Sequence, residues 1–100
     1  MVGVAEKTVT VVVPSLLAKV TGEQRELSVP VSGPRSVAEI LDDLAGEYPV
    51  FNRRVRNETG AIRRYVNLYL DGEDIRTLQG PDTLVSPGQE LLIIQSVAGG

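Results

Sequence analysis

The sequence predicts an α+β fold: a mixed sheet with one main helix packed across one face. Three observations predict it. Short β-branched or alternating runs recur at 7–13, 25–31, 65–70 and 90–96. Apolar residues recur at helical spacing clearly only once, from Val37 to Tyr48. The most continuously apolar run, Leu91-Leu92-Ile93-Ile94, comes last, as suits an interior strand.

Taken in order, residues 1–6 read as a flexible leader. Lys7 to Val13 is β-branched almost throughout and predicts the first strand. A polar, glycine-containing loop from Lys19 to Gln24 follows. Arg25 to Val31 places Leu27, Val29 and Val31 on one side of a second strand. Pro30 cannot donate to a ladder, so that strand belongs at a sheet edge, hairpinned to the first.

Ser36-Val37-Ala38-Glu39 has the form of a capping box. The serine oxygen accepts from the third helical amide and the glutamate reaches back. Val37, Ile40, Leu41, Leu44 and Tyr48 give the helix its apolar stripe, and Pro49 ends it. Residues 50–63 are polar and arginine-rich, a loop with some helical turns. Tyr65 to Leu70 alternates strictly, with Val66, Leu68 and Leu70 facing one way and Tyr65, Asn67 and Tyr69 the other. Asp71-Gly72 predicts a tight turn into a short strand over Glu73–Arg76. Gly80-Pro81 and Ser86-Pro87-Gly88 punctuate the next stretch before the last strand, Glu90–Ser96.

One helix against one face of the sheet buries these faces economically. The last strand then lies beside the first in the sheet's middle, with the proline-marked strand outside. This is the ubiquitin-like β-grasp arrangement. The expected organisation is a leader at 1–6, a β-grasp domain at 7–96 and a flexible tail at 97–100.

Composition narrows the chemistry. The chain has 100 residues, a formal charge of −3, no cysteine and no histidine. Without them there is no thiolate nucleophile, disulfide, cysteine metal cluster or imidazole base. The overall acidity argues against a nucleic-acid partner, although Arg53, Arg54, Arg56, Arg63 and Arg64 stand against only Glu58 in residues 51–64. No apolar run is long enough to span a bilayer, and the first residues lack a signal-peptide pattern. The expectation is a cytoplasmic protein with neither a membrane nor a nucleic acid as partner.

The chain ends Val97-Ala98-Gly99-Gly100. Glycine leaves the terminal carboxylate without a neighbouring side chain, so the tail can thread a narrow channel in another protein. A frayed end is the plain alternative, since composition alone yields a Gly-Gly ending in roughly 1 chain in 200. The conjunction with a β-grasp pattern whose last strand runs straight into the tail is far more specific.

The element order, Tyr65-Val66-Asn67-Leu68-Tyr69-Leu70 with its Asp71-Gly72 turn, and the Val97-Ala98-Gly99-Gly100 ending together resemble the MoaD/ThiS family of sulfur carriers. The likeness covers nearly the whole chain after the leader. The length, the arginine-rich insert and Val-Asn-Leu-Tyr look most like the CysO-type branch, which serves actinobacterial cysteine biosynthesis. The resemblance implies a carrier rather than an enzyme, with no catalytic residue, no metal site and no permanently bound cofactor. An E1-like enzyme would use ATP and Mg to adenylate Gly100, and a sulfur nucleophile would displace AMP to leave a Gly100 thiocarboxylate. Val97, Ala98 and Gly99 would thread the partner's channel. A sulfur-accepting synthase and a JAMM-type protease complete the implied partners.

Tyr65, Asn67 and Tyr69 are the candidate partner interface, because aromatic residues are favoured in hot spots and the family docks through this face. Cross-strand stabilisation of the sheet is the alternative reading. The arginine cluster fits either an acidic partner or, more simply, a solvated loop. Asp42-Asp43 and Asp71/Glu73/Asp74 suggest no pocket of convergent polar groups and are not read as catalytic or metal-binding. Two other functions use the same sequence: a ubiquitin-like modifier joined to lysines through Gly100, and a β-grasp interaction module with an inert tail. Cysteine, thiamin, molybdopterin and sulfur-containing natural products all remain open as the sulfur's destination.

Overall fold

In the computed structural model, which describes residues 7–96, strand β1 (Thr8–Val12) buries Val9 and Val11 completely and leaves Thr8, Thr10 and Val12 half-buried. Strand β2 (Glu26–Pro30) alternates more sharply, with Leu27 and Val29 inside and Glu26, Ser28 and Pro30 exposed. β4 (Val66–Leu70) and β7 (Glu90–Gln95) repeat the pattern with Val66, Leu68, Leu70, Leu91 and Ile93 inside. Between them come α1 (Ser15–Ala18), β3 (Arg35–Ser36), α2 (Val37–Glu47), α3 (Pro49–Val55), β5 (Glu73–Asp74), 3-10 turns at Ile75–Thr77 and Gly80–Asp82, and β6 (Leu84–Val85).

The main sheet has the order β2-β1-β7-β4-β5. Its central pair, β1 and β7, is parallel, with Val11 opposite Leu91, and every other pair is antiparallel. The expected arrangement is therefore present: the last strand lies beside the first, and the proline-bearing strand is at the edge. Asp71 and Gly72 take positive φ values of 47° and 88°, as the tight hairpin between β4 and β5 requires. The Asp71 carboxylate also accepts from the Glu90 amide at 3.0 Å and from the Gln89 side chain at 3.0 Å, pinning this turn to the start of β7.

Helix α2 begins at the anticipated capping box. Ser36 Oγ accepts from the Glu39 amide at 3.1 Å, and Glu39 Oε1 accepts from the Ser36 amide at 3.0 Å. Val37, Ile40, Leu41 and Leu44 join the strands' inward residues in one core cluster. Each such side chain stabilises the fold by about 1.5–3 kcal/mol on an extended-chain reference, which is an upper bound.

Several features differ from the sequence expectation. The short strand expected over Glu73–Arg76 stops at Asp74, because the chain turns into the 3-10 segment Ile75–Thr77, and the short helix α1 was not expected. Pro49 ends α2 but also opens α3, because proline at a first helical position gives up an amide that lacks a helical partner anyway. Phe51 and Val55, four residues apart, bury that helix in the core, so the front of the arginine-rich stretch is a packed helix rather than a loop. The two-residue pair β3–β6 was not foreseen. It joins Arg35 to Val85 and Ser36 to Leu84, and sets the helix start against the segment before β7.

Candidate functional site

The tail residues Val97, Ala98, Gly99 and Gly100 lie outside the described residues, as does the leader at 1–6. The structure describes the root from which the tail leaves. β7 is bonded to β1 on one side and β4 on the other, and the Ser96 amide donates to the Tyr65 carbonyl at 2.8 Å. The chain is thus held in register through Ser96, at the end of an interior strand. Gln95, beside that root, has a buried Oε1 without a hydrogen-bond partner among the described residues.

Helix α2 covers one face of the sheet, and the other carries an apolar row. Val12, Leu92 and Tyr69 are directly opposite one another across β1, β7 and β4, and Ile94 lies opposite Asn67. Ile94 is 41% exposed, whereas its neighbour Ile93 is 1% exposed. Asn67 and Tyr69 hold the expected face, half-buried. Tyr65 precedes the strand: it lies in the turn before β4, half-buried and packed against the core cluster, with its carbonyl accepting from the Ser96 amide and the Val66 amide donating to the Arg63 carbonyl at 3.0 Å. Sequence reasoning missed Val12, Leu92 and Ile94 on this face. A signal was present: with one helix to cover the sheet, Leu91-Leu92-Ile93-Ile94 must turn two residues outward.

The arginines divide by partner. Arg56 is buried and bonds Asp42 at 2.9 Å and Asn52 Oδ1 at 2.8 Å, tying the end of α3 to α2. Arg63 Nε donates to the Arg53 carbonyl at 2.8 Å, and Asn57 Oδ1 accepts from the Thr59 and Ala61 amides, so the connection to β4 is internally bonded. Arg53, Arg54 and Arg64 are exposed. Beyond the sheet edge, Arg76 contacts both carboxylate oxygens of Asp74. This side-chain pairing, followed by the Arg76 amide, holds the Asp74 carboxyl below its ordinary value. Among the described residues no group of carboxylates forms a metal cluster, and no helix is long and apolar enough to cross a membrane.

The geometry of the described residues is that of a β-grasp with β7 as an interior strand, and comparison with known proteins places it. The ThiS family pattern matches residues 12–100. The chain belongs to the ThiS family. Its relatives include the sulfur carrier protein CysO of Mycobacterium tuberculosis, 34% identical over 94 residues that span 92% of this chain and 98% of that protein. Small archaeal modifier protein 1 of Haloferax volcanii is 33% identical over 84 residues, spanning 84% and 91% of the two chains. A chain in the crystal structure of the Amycolatopsis orientalis BexX/CysO complex superposes with a TM-score of 0.75 at 32% identity, covering 92% of this chain and 99% of that one. This ThiS family member is thus of the small ubiquitin-like carrier type rather than a catalyst.

Proposed function

We propose that this chain is a sulfur carrier that works through the carboxylate of Gly100. The observation that carries the reading is the ending Val97-Ala98-Gly99-Gly100 directly after interior strand β7, in a family member 34% identical to a sulfur carrier. An activating enzyme of the E1-like class would join the Gly100 carboxylate oxygen to the α-phosphorus of MgATP and release pyrophosphate. Hydrosulfide, the sulfur donor in this step, then forms a C–S bond to the acyl carbon, the bond from that carbon to the shared oxygen breaks so that AMP leaves with it, and loss of the sulfur-bound proton to solvent leaves the Gly100 thiocarboxylate. The chain contributes position rather than catalysis. Gly99 removes side-chain bulk beside the reacting carbon, and the open face with Tyr69, Asn67, Leu92 and Ile94 offers an apolar docking area beside the tail's root.

Cysteine synthesis is the favoured destination for the sulfur, supported by the CysO relatives, with thiamin, molybdopterin or a sulfur-containing natural product as the other acceptors. The partners are the activating enzyme, a sulfur-accepting synthase and a JAMM-type protease. The test is intact-mass analysis of the full chain after incubation with its activating enzyme, MgATP and a sulfur donor. A gain of one sulfur for one oxygen, confined to the C-terminal peptide, is the expected result. An unchanged mass, or the same gain after Gly100 is extended by a further residue, overturns it.

A second reading has its own observation. The likeness to small archaeal modifier protein 1 favours conjugation of Gly100 to lysines. Finding Gly100 only in isopeptide linkage would select that reading over the carrier.

A further inference from the structure

β5 pairs only with Tyr69 and Leu70, so the outer edge of β4 over residues 66–68 has no strand beside it among the described residues. The bonds from Asp71 to Glu90 and from Ser96 to Tyr65, at the two ends of the β4–β7 ladder, turn the odd-numbered residues of β4 toward β7. Val66 and Leu68 therefore turn their backbone groups outward. The Val66 carbonyl and the Leu68 amide then form the acceptor and donor that an added strand needs.

A groove of about 420 Å³ lies along this edge. Its floor is apolar, from Ile62, Val66, Leu68 and Ile75, and its rim carries Arg63, Arg64 and Arg76. Arg76 is engaged by Asp74, whereas Arg63 and Arg64 have no carboxylate within ion-pair distance among the described residues. The opposite edge of the sheet differs. β2 is guarded by Pro30 and the exposed charge of Glu26, devices that discourage strand addition. The open stretch of β4 reads Val-Asn-Leu, with neither proline nor charge.

We propose that the open edge of β4 is a strand-addition site for an extended, acid-bearing segment of a partner protein. Alternate side chains of that segment would fill the apolar floor while its carboxylates meet Arg63 and Arg64. The inference stands apart from sulfur carriage, because it is read by peptide binding to the chain alone.

The test uses the full chain, labelled for amide NMR, and an eight-residue peptide of alternating valine and aspartate. The expected result is saturable shifts and slowed hydrogen exchange at the Leu68 amide, weakened by added salt. Arg64→Glu, at an exposed position, weakens binding about fivefold, and a valine–lysine peptide binds at least as weakly as that variant. Shifts confined to Glu26 and Ser28 or to Leu92 and Ile94 overturn the proposal, as does equal binding of the two peptides or none. Protection of Leu68 that rises with protein concentration without peptide would assign the edge to a second copy, and also overturns it.

Discussion

Ile94→Ala tests whether the open sheet face docks the proposed activating enzyme. Ile94 lies on the strand that feeds the tail, opposite Asn67 and two residues from Leu92, and is 41% exposed. Full burial of an isoleucine side chain stabilises by about 1.5–3 kcal/mol, so covering the remaining two-fifths contributes roughly 0.6–1.2 kcal/mol to the complex. Truncation should lower kcat/KM for adenylation by about three- to eightfold, carried mostly by KM because the chemistry at Gly100 is untouched. Ile94→Asp should lose more than about tenfold, since a carboxylate would be desolvated without a partner. The assay is ATP–pyrophosphate exchange driven by the carrier, with chemical denaturation to confirm that each variant is folded. Leu84→Ala is the control. Leu84 is 59% exposed but belongs to β6, outside the five-stranded sheet. Folded Ile94→Ala with kcat/KM within twofold of the parent refutes the docking argument, and so does an equal loss in Leu84→Ala.

Three further outcomes follow from particular contacts. Asp42→Ala leaves the Arg56 guanidinium, whose side chain is 9% exposed, with Asn52 alone. Solvent at the 67% exposed Asp42 tempers the loss to about 1–2 kcal/mol in urea unfolding, and an Arg56→Met background should abolish it. Ser36→Ala removes half of the capping box and should cost about 1 kcal/mol, read as a fall of roughly 4–8 °C in Tm. The Asp74 carboxyl should titrate below the ordinary carboxylate pKa of about 3.9 in NMR, and Arg76→Gln should move it upward. Because the folded value is the lower one, the stabilisation from Asp74 is present above the unfolded pKa and is lost as pH falls through the folded pKa.

Much of this protein was determined by sequence alone. Local steric and hydrogen-bonding preferences act over a few residues, so the capping box at Ser36, the Asp71-Gly72 turn and the alternation of Val66, Leu68 and Leu70 are legible without knowing what they pack against. Pro30 marks an edge because its missing amide is a covalent fact. The interior position of β7 was legible in its four-residue apolar run, although only Leu91 and Ile93 of that run are buried. The ending Val97-Ala98-Gly99-Gly100 was legible in the same way, and it supplied the candidate reacting carboxylate. The tertiary structure decided what depends on contacts between distant segments. Phe51 and Val55 become core only when α3 folds back against α2 and the sheet, so the polar residues around them had suggested a loop. Tyr65 shares the alternation of Asn67 and Tyr69, yet it lies in the turn before β4, half-buried and packed against the core cluster. That two of Leu91, Leu92, Ile93 and Ile94 must turn outward is legible in the sequence, but that the two are Leu92 and Ile94 is fixed only by the face that the helix covers. The half-edge of β4 exists only because β5 stops at Asp74, a length set by the turn at Ile75–Thr77 rather than by the pattern of β4 itself.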